Sequence, residues 1–80
     1  MTGVELRQRR ERLDLSQAQL ARALDTSPNT VARWERGEMQ IRMPGVLRFI
    51  LSEMERDRGR FPILDEWTAY AETWLTRNDQ

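Results

Sequence analysis

The 80-residue sequence contains no cysteine, no histidine and no lysine. Without cysteine there is no disulfide framework, and without cysteine and histidine the usual zinc ligands are missing. Histidine is also the commonest general base near neutral pH. Only carboxylates, serines and arginines remain, and the acids sit mainly at helix starts and on surfaces, with no pair held in a recognisable cleft. No enzyme, metal or cofactor is expected. Long apolar runs are absent too: none approaches the ~20 residues that a membrane-spanning helix needs. The N-terminal stretch becomes charged within five residues, unlike a secretory signal. A cytoplasmic location is the resulting expectation. No sustained apolar–polar alternation is found, so no sheet is expected, and there is no internal repeat.

Net charge is zero, but its distribution is uneven. Residues 1–60 hold twelve arginines against nine acids, whereas residues 61–80 hold Arg77 against Asp65, Glu66, Glu72 and Asp79. A basic body followed by an acidic end creates local fields that the total conceals. Arginine suits phosphate and guanine recognition, although codon bias explains an all-arginine composition equally well.

Helix punctuation is legible. "TGVE" predicts a capping box in which the Thr2 hydroxyl bonds the Glu5 amide and Glu5 reaches back. The first helix then runs to about Leu13, with Leu6 and Leu13 inward, and Asp14 breaks it. "SQAQ" predicts a second capping box, Ser16 with Gln19, opening a helix through Leu24 whose inward residues are Leu20, Ala21 and Leu24. Ser27 is an N-cap with Pro28 at the first helical position, and Gly37 ends that third helix in a left-handed conformation. Pro44 starts a fourth helix running to about Arg58. Leu47, Ile50, Leu51 and Met54 form one stripe along it, while Val46 and Phe49 point the other way; a helix apolar on two sides is usually covered on two sides. Pro62 keeps "RFPIL" extended. Asp65 then caps a fifth helix over about residues 66–76, with Trp67, Tyr70, Ala71, Trp74 and Leu75 in one arc.

At about 100° per residue, the third helix has two faces. Val31, Trp34 and Glu35 lie on one side. Asn29, Arg33 and Arg36 lie opposite, flanked by Ala32. Asparagine pairs bidentately with adenine and arginine with guanine in a major groove, and alanine meets a thymine methyl. Taken alone, such a face also describes an ordinary solvated helix. The preceding short helix and three-residue turn add the spacing of a helix-turn-helix.

Residues from about Leu6 to Leu51, carried by "LRQRRERLDLSQAQLARALDTSPNTVARWERGE", resemble the phage-repressor-like helix-turn-helix family of Cro- and XRE-type regulators. The resemblance implies an all-α, lambda-repressor-like bundle of four or five helices. Residues 1–58 would form the DNA-binding unit and residues 59–80 an extension whose amphipathic fifth helix dimerises. It implies a transcriptional regulator, most often a repressor, bound to double-stranded DNA as a homodimer on an inverted repeat. Base contacts are carried over to Pro28, Asn29, Thr30 and Arg33. Pro28 has no hydrogen-bond donor, so direct readout should shift to the other three, Arg33 foremost. Phosphate contacts are carried over to Gln17, Ser27, Gln40 and Arg42, with Arg36 added from the polar face. Arg10 and Glu35 match a structural ion pair of the family. Asp25 stands where the family often has glycine. Arg7, Arg9, Arg12 and Arg22 read as solvated helix-face residues.

Trp67, Tyr70 and Trp74 admit two placements, folded back onto Val46 and Phe49 or forming a symmetric dimer seam; a short helix can do both with different edges, and a seam that involves the fifth helix is the expectation over purely intrachain packing. A competing function is an antitoxin-type regulator whose fifth helix binds a toxin-like partner.

Overall fold

Thr2, Ser16 and Ser27 each open a helix in the computed structural model, which describes residues 1–76, with side chains described through Thr73. Their hydroxyls accept the amides of Glu5, Gln19 and Thr30 at 3.1, 3.0 and 3.1 Å. The elements are α1 (Gly3–Arg12), α2 (Gln17–Ala23), α3 (Pro28–Glu35), α4 (Pro44–Gly59) and α5 (Leu64–Thr76). The fold is all-α, with no strand among the described residues. The box at Ser16 is complete, because the Gln19 side chain accepts the Ser16 amide at 2.8 Å. The box expected at Thr2 closes on one side only. Glu5 faces Arg9 at 3.7 Å and Arg48 at 3.9 Å instead, and two guanidinium groups outcompete one backbone amide for a carboxylate.

α1, α2 and α3 end by the same device. Asp14, Asp25 and Gly37 each take a left-handed conformation, at φ 56°, 55° and 75°. The residue after each donates its amide back to the carbonyl five residues earlier: Leu15 to Arg10, Thr26 to Ala21 and Glu38 to Arg33. This double closure satisfies carbonyls that a helix end would otherwise leave bare. Aspartate tolerates the geometry better than most residues do, so the substitution for glycine at Asp25 leaves the turn intact.

One core unites the five helices. Leu6, Leu13, Leu15, Leu20, Ala21, Val31, Trp34, Leu47, Leu51, Met54, Trp67 and Ala71 form it, with Leu24 and Ile50 partly buried against it. α1 packs on α3, while α2 packs on both α3 and α5. Gly3 is essential to the first of these contacts. A Cβ there would lie 2.4 Å from the Trp34 carbonyl oxygen and 2.6 Å from that of Glu35. Only glycine admits so close a backbone approach.

The fifth helix differs from expectation in two ways. It begins at Leu64, so Asp65 lies in its first turn rather than capping it. It also faces elsewhere. Trp67 is wholly buried in its own chain and donates Nε1–H to the Leu13 carbonyl at 2.6 Å. Tyr70 stacks on Phe61 at 4.6 Å between ring centroids, and its hydroxyl lies 3.1 Å from Asp57. Trp67 therefore has no free face for a second copy, and Tyr70 spends its ring and hydroxyl within the chain. The Trp74 side chain lies outside the described residues. Neither described aromatic covers the second apolar face of α4: Val46 remains 48% and Phe49 66% exposed.

Candidate nucleic-acid interface

α3 is held at both ends and along one side. Ser27 caps its N-terminus, and the Ser27 and Thr30 hydroxyls are 2.9 Å apart. Val31 and Trp34 sink into the core. Asn29 and Arg33 are exposed on the opposite side, alongside Pro28. With its hydroxyl joined to the cap, Thr30 is half-buried, which leaves Asn29 and Arg33 as the outward edge.

Two depressions flank that edge. One, of about 430 Å³, is lined by Thr30 and Trp34 of α3, by Asp25 and Thr26 of the preceding turn, and by Gln40 and Arg42 of the following loop. The other, of about 280 Å³, is lined by Arg7, Arg10, Gln17, Glu35 and Arg36. The residues expected to meet phosphate thus fall in two groups, Gln40 with Arg42 on one side of α3 and Gln17 with Arg36 on the other. Arg36 is also tied to Glu38. Ser27, the remaining residue of that set, is committed to the cap.

Arg10 and Glu35 anchor the second depression from beneath. Arg10 Nε lies 2.7 Å and Nη2 3.0 Å from the two Glu35 oxygens, and Nη1 donates to the Leu15 carbonyl at 2.9 Å. Gln17 Nε2 donates to Glu35 at 3.0 Å. The Glu35 side chain is only 4% exposed. Burial pushes its carboxyl up, but the hydrogen bonds from Arg10 and Gln17 outweigh this and hold it below the usual carboxylate value. The hydrogen bond to Glu35 raises Arg10 further against an opposing burial effect.

The sign of the pH effect follows. A carboxyl depressed in the folded state stabilises the fold above its unfolded value of 4.5 and loses that contribution as pH falls through the folded value. Wild type and Glu35→Gln should therefore melt at different temperatures near neutrality and converge on acidification below 4.5. A gap unchanged across that range, measured by circular dichroism, would refute this account.

Of the arginines expected to be solvated, Arg7 keeps a side chain 66% exposed, whereas Arg9 does not stay in solvent. Arg7 lines the depression shared by Gln17 and Arg36, although its Nε also meets Glu11 at 2.9 Å. Arg9 is not a solvated residue: its side chain is 16% exposed and it bonds Glu55 at 2.6 Å and Ser52 at 3.3 Å. It joins α1 to α4, so it belongs to the frame of the site.

Among the described residues no cluster of acids suits a metal ion, and no helix is long and apolar enough to cross a membrane. A helix-turn-helix family model matches residues 6–48, more than half of the chain and the whole span from α1 into α4. No curated protein and no solved structure matches it.

Proposed function

The chain belongs to the helix-turn-helix family of the XRE and lambda-repressor type, a family of DNA-binding transcription regulators, and from that premise we propose a repressor that binds an inverted-repeat operator as a homodimer. The observation that carries this reading is the exposed edge of Asn29 and Arg33, braced from behind by Val31 and Trp34 and flanked by two polar depressions. α3 lies in the major groove. Arg33 pairs with guanine and Asn29 with adenine. Gln17 and Arg36 hold one phosphate strand, and Gln40 and Arg42 the other, while Ser27 fixes the helix start and presents its amide end to a phosphate. Two-fold pairing sets half-site centres about 34–36 Å apart, one turn of the duplex. Repression follows from occupying a promoter.

Selection from a randomised DNA pool tests the reading directly. An enriched inverted repeat is expected, and a pool that emerges without any enriched site would rule it out. On the selected site, Arg33→Ala should lose about 1–3 kcal/mol of discrimination at one base pair per half-site. Arg42→Ala should weaken all sequences alike and reduce the slope of log affinity against log salt by about 1. Equal losses on selected and scrambled DNA for Arg33→Ala would remove it from base recognition.

A further inference from the structure

We propose that Arg7 of α1 is a further phosphate-contacting residue, which completes with Gln17 and Arg36 a clamp built from three helices around one strand of the operator. This rests on the operator reading of α3 and adds α1 to the surface that meets DNA.

The first observation is which guanidinium nitrogens are already spent. A guanidinium offers Nε and two terminal nitrogens, and it holds phosphate best through two parallel N–H bonds. Arg10 has all three nitrogens engaged, Nε and Nη2 with Glu35 and Nη1 with the Leu15 carbonyl. Arg9 is spent in the same way: Nε and Nη2 bond Glu55, and Nη1 faces Glu5 at 3.7 Å. Arg7 differs. Its one bond among the described residues runs from Nε to Glu11 at 2.9 Å, along its own helix. Both terminal nitrogens stay open. Arg36 repeats the pattern, with Nε on Glu38. Each of these two arginines therefore accepts a phosphate on its terminal nitrogens without giving up its acid.

The second observation is where the open nitrogens stand. Arg7, Arg10, Gln17, Glu35 and Arg36 line one depression of about 280 Å³. All five are polar or charged, and three arginines face a single acid. That acid is no competitor for an anion, because Glu35 is buried and held by Arg10 and Gln17. The recess is left positive, which suits a phosphate. Arg7 contributes to that field: burial raises the Glu35 carboxyl, and Arg10, Gln17 and, last, Arg7 lower it. The other two depressions differ in character. One includes the carboxylate of Asp25 beside Arg42, and the other is mainly apolar.

The frame also sets the position. Arg7 and Arg10 are three residues apart and so are neighbours on one side of α1. The Arg10–Glu35 bond that ties α1 to α3 thereby brings Arg7 to the rim of the same recess. Arg12, on the same helix, lies about 140° round from Arg7. It is exposed and does not line the recess.

Titration of the whole chain with the DNA site selected from a random pool, between about 50 and 200 mM salt, tests the clamp. Arg7→Ala should weaken binding by about three- to tenfold on selected and scrambled DNA alike. It should also lower the slope of log affinity against log salt by about 1. Arg12→Ala removes the same charge from the same helix and should leave both nearly unchanged. Replacing single backbone phosphates by uncharged methylphosphonate then locates the partner. One replacement per half-site should weaken wild type yet leave Arg7→Ala unaffected, next to the phosphate to which Gln17→Ala has become indifferent. A role in the fold or in the general field would not couple Arg7 to one phosphate.

The proposal is overturned if Arg7→Ala keeps the affinity and salt slope of wild type, if Arg12→Ala loses as much, or if no single methylphosphonate becomes neutral in Arg7→Ala. Each of these results leaves base reading by α3 standing. A wild type that enriches no DNA site removes the operator reading, and the clamp falls with it.

Discussion

Trp67→Ala should unfold a substantial fraction of the protein at physiological temperature. Truncating a buried tryptophan costs about 3–5 kcal/mol, and 80 residues at typical stability per residue give a total of only about 4–12 kcal/mol. Trp67 is wholly buried and bonds α5 to the end of α1 through the Leu13 carbonyl at 2.6 Å. That carbonyl belongs to the C-cap residue of α1, where no intrahelical donor is available. The Arg58 guanidinium also lies over the ring, 5.7 Å from its centroid. Trp67→Phe separates the contributions. It keeps most of the apolar area but leaves the carbonyl without its donor, for a loss of about 1–3 kcal/mol. Chemical denaturation followed by tryptophan-independent circular dichroism measures both. If Trp67→Ala were as stable as wild type, α5 would have to be an appendage rather than part of the core.

This result bears on what the sequence makes readable. Caps are local, so Thr2, Ser16, Ser27 and the left-handed stops could be placed from a few neighbouring residues. The outward edge of α3 was also readable, because Val31 and Trp34 fix its phase over fewer than three turns. Periodicity put Trp67, Tyr70 and Ala71 in one arc of α5, but a helix phase does not say which neighbour the arc meets. The choice of α2 and the end of α1, and not the outer side of α4, is made by contacts more than fifty residues apart, such as Trp67 to Leu13. Arg9 was illegible for the same reason, since its partners Ser52 and Glu55 lie over forty residues away. Gly3 carries no local mark either. It reads as part of a cap, yet its lack of a Cβ decides how closely α1 approaches α3.

Arg10→Met should cost about 3–5 kcal/mol, because it strips the main partner from a buried carboxylate. Glu35, 4% exposed, would keep only the amide of Gln17, and the Leu15 carbonyl would lose its 2.9 Å donor. The double variant Arg10→Met/Glu35→Met should recover most of that loss, since no charge is then left buried without a partner. Thermal denaturation of the two single variants and the double variant gives the coupling between the residues. The same set separates a structural ion pair from a DNA contact. Arg10 lines the depression beside Gln17 and Arg36, so its position alone does not exclude a phosphate. If the pair acts only by holding the last turn of α3 against α1, the double variant regains affinity for the selected DNA along with its stability. Restored stability with affinity still low, and with a shallower salt dependence, would instead assign Arg10 a phosphate of its own.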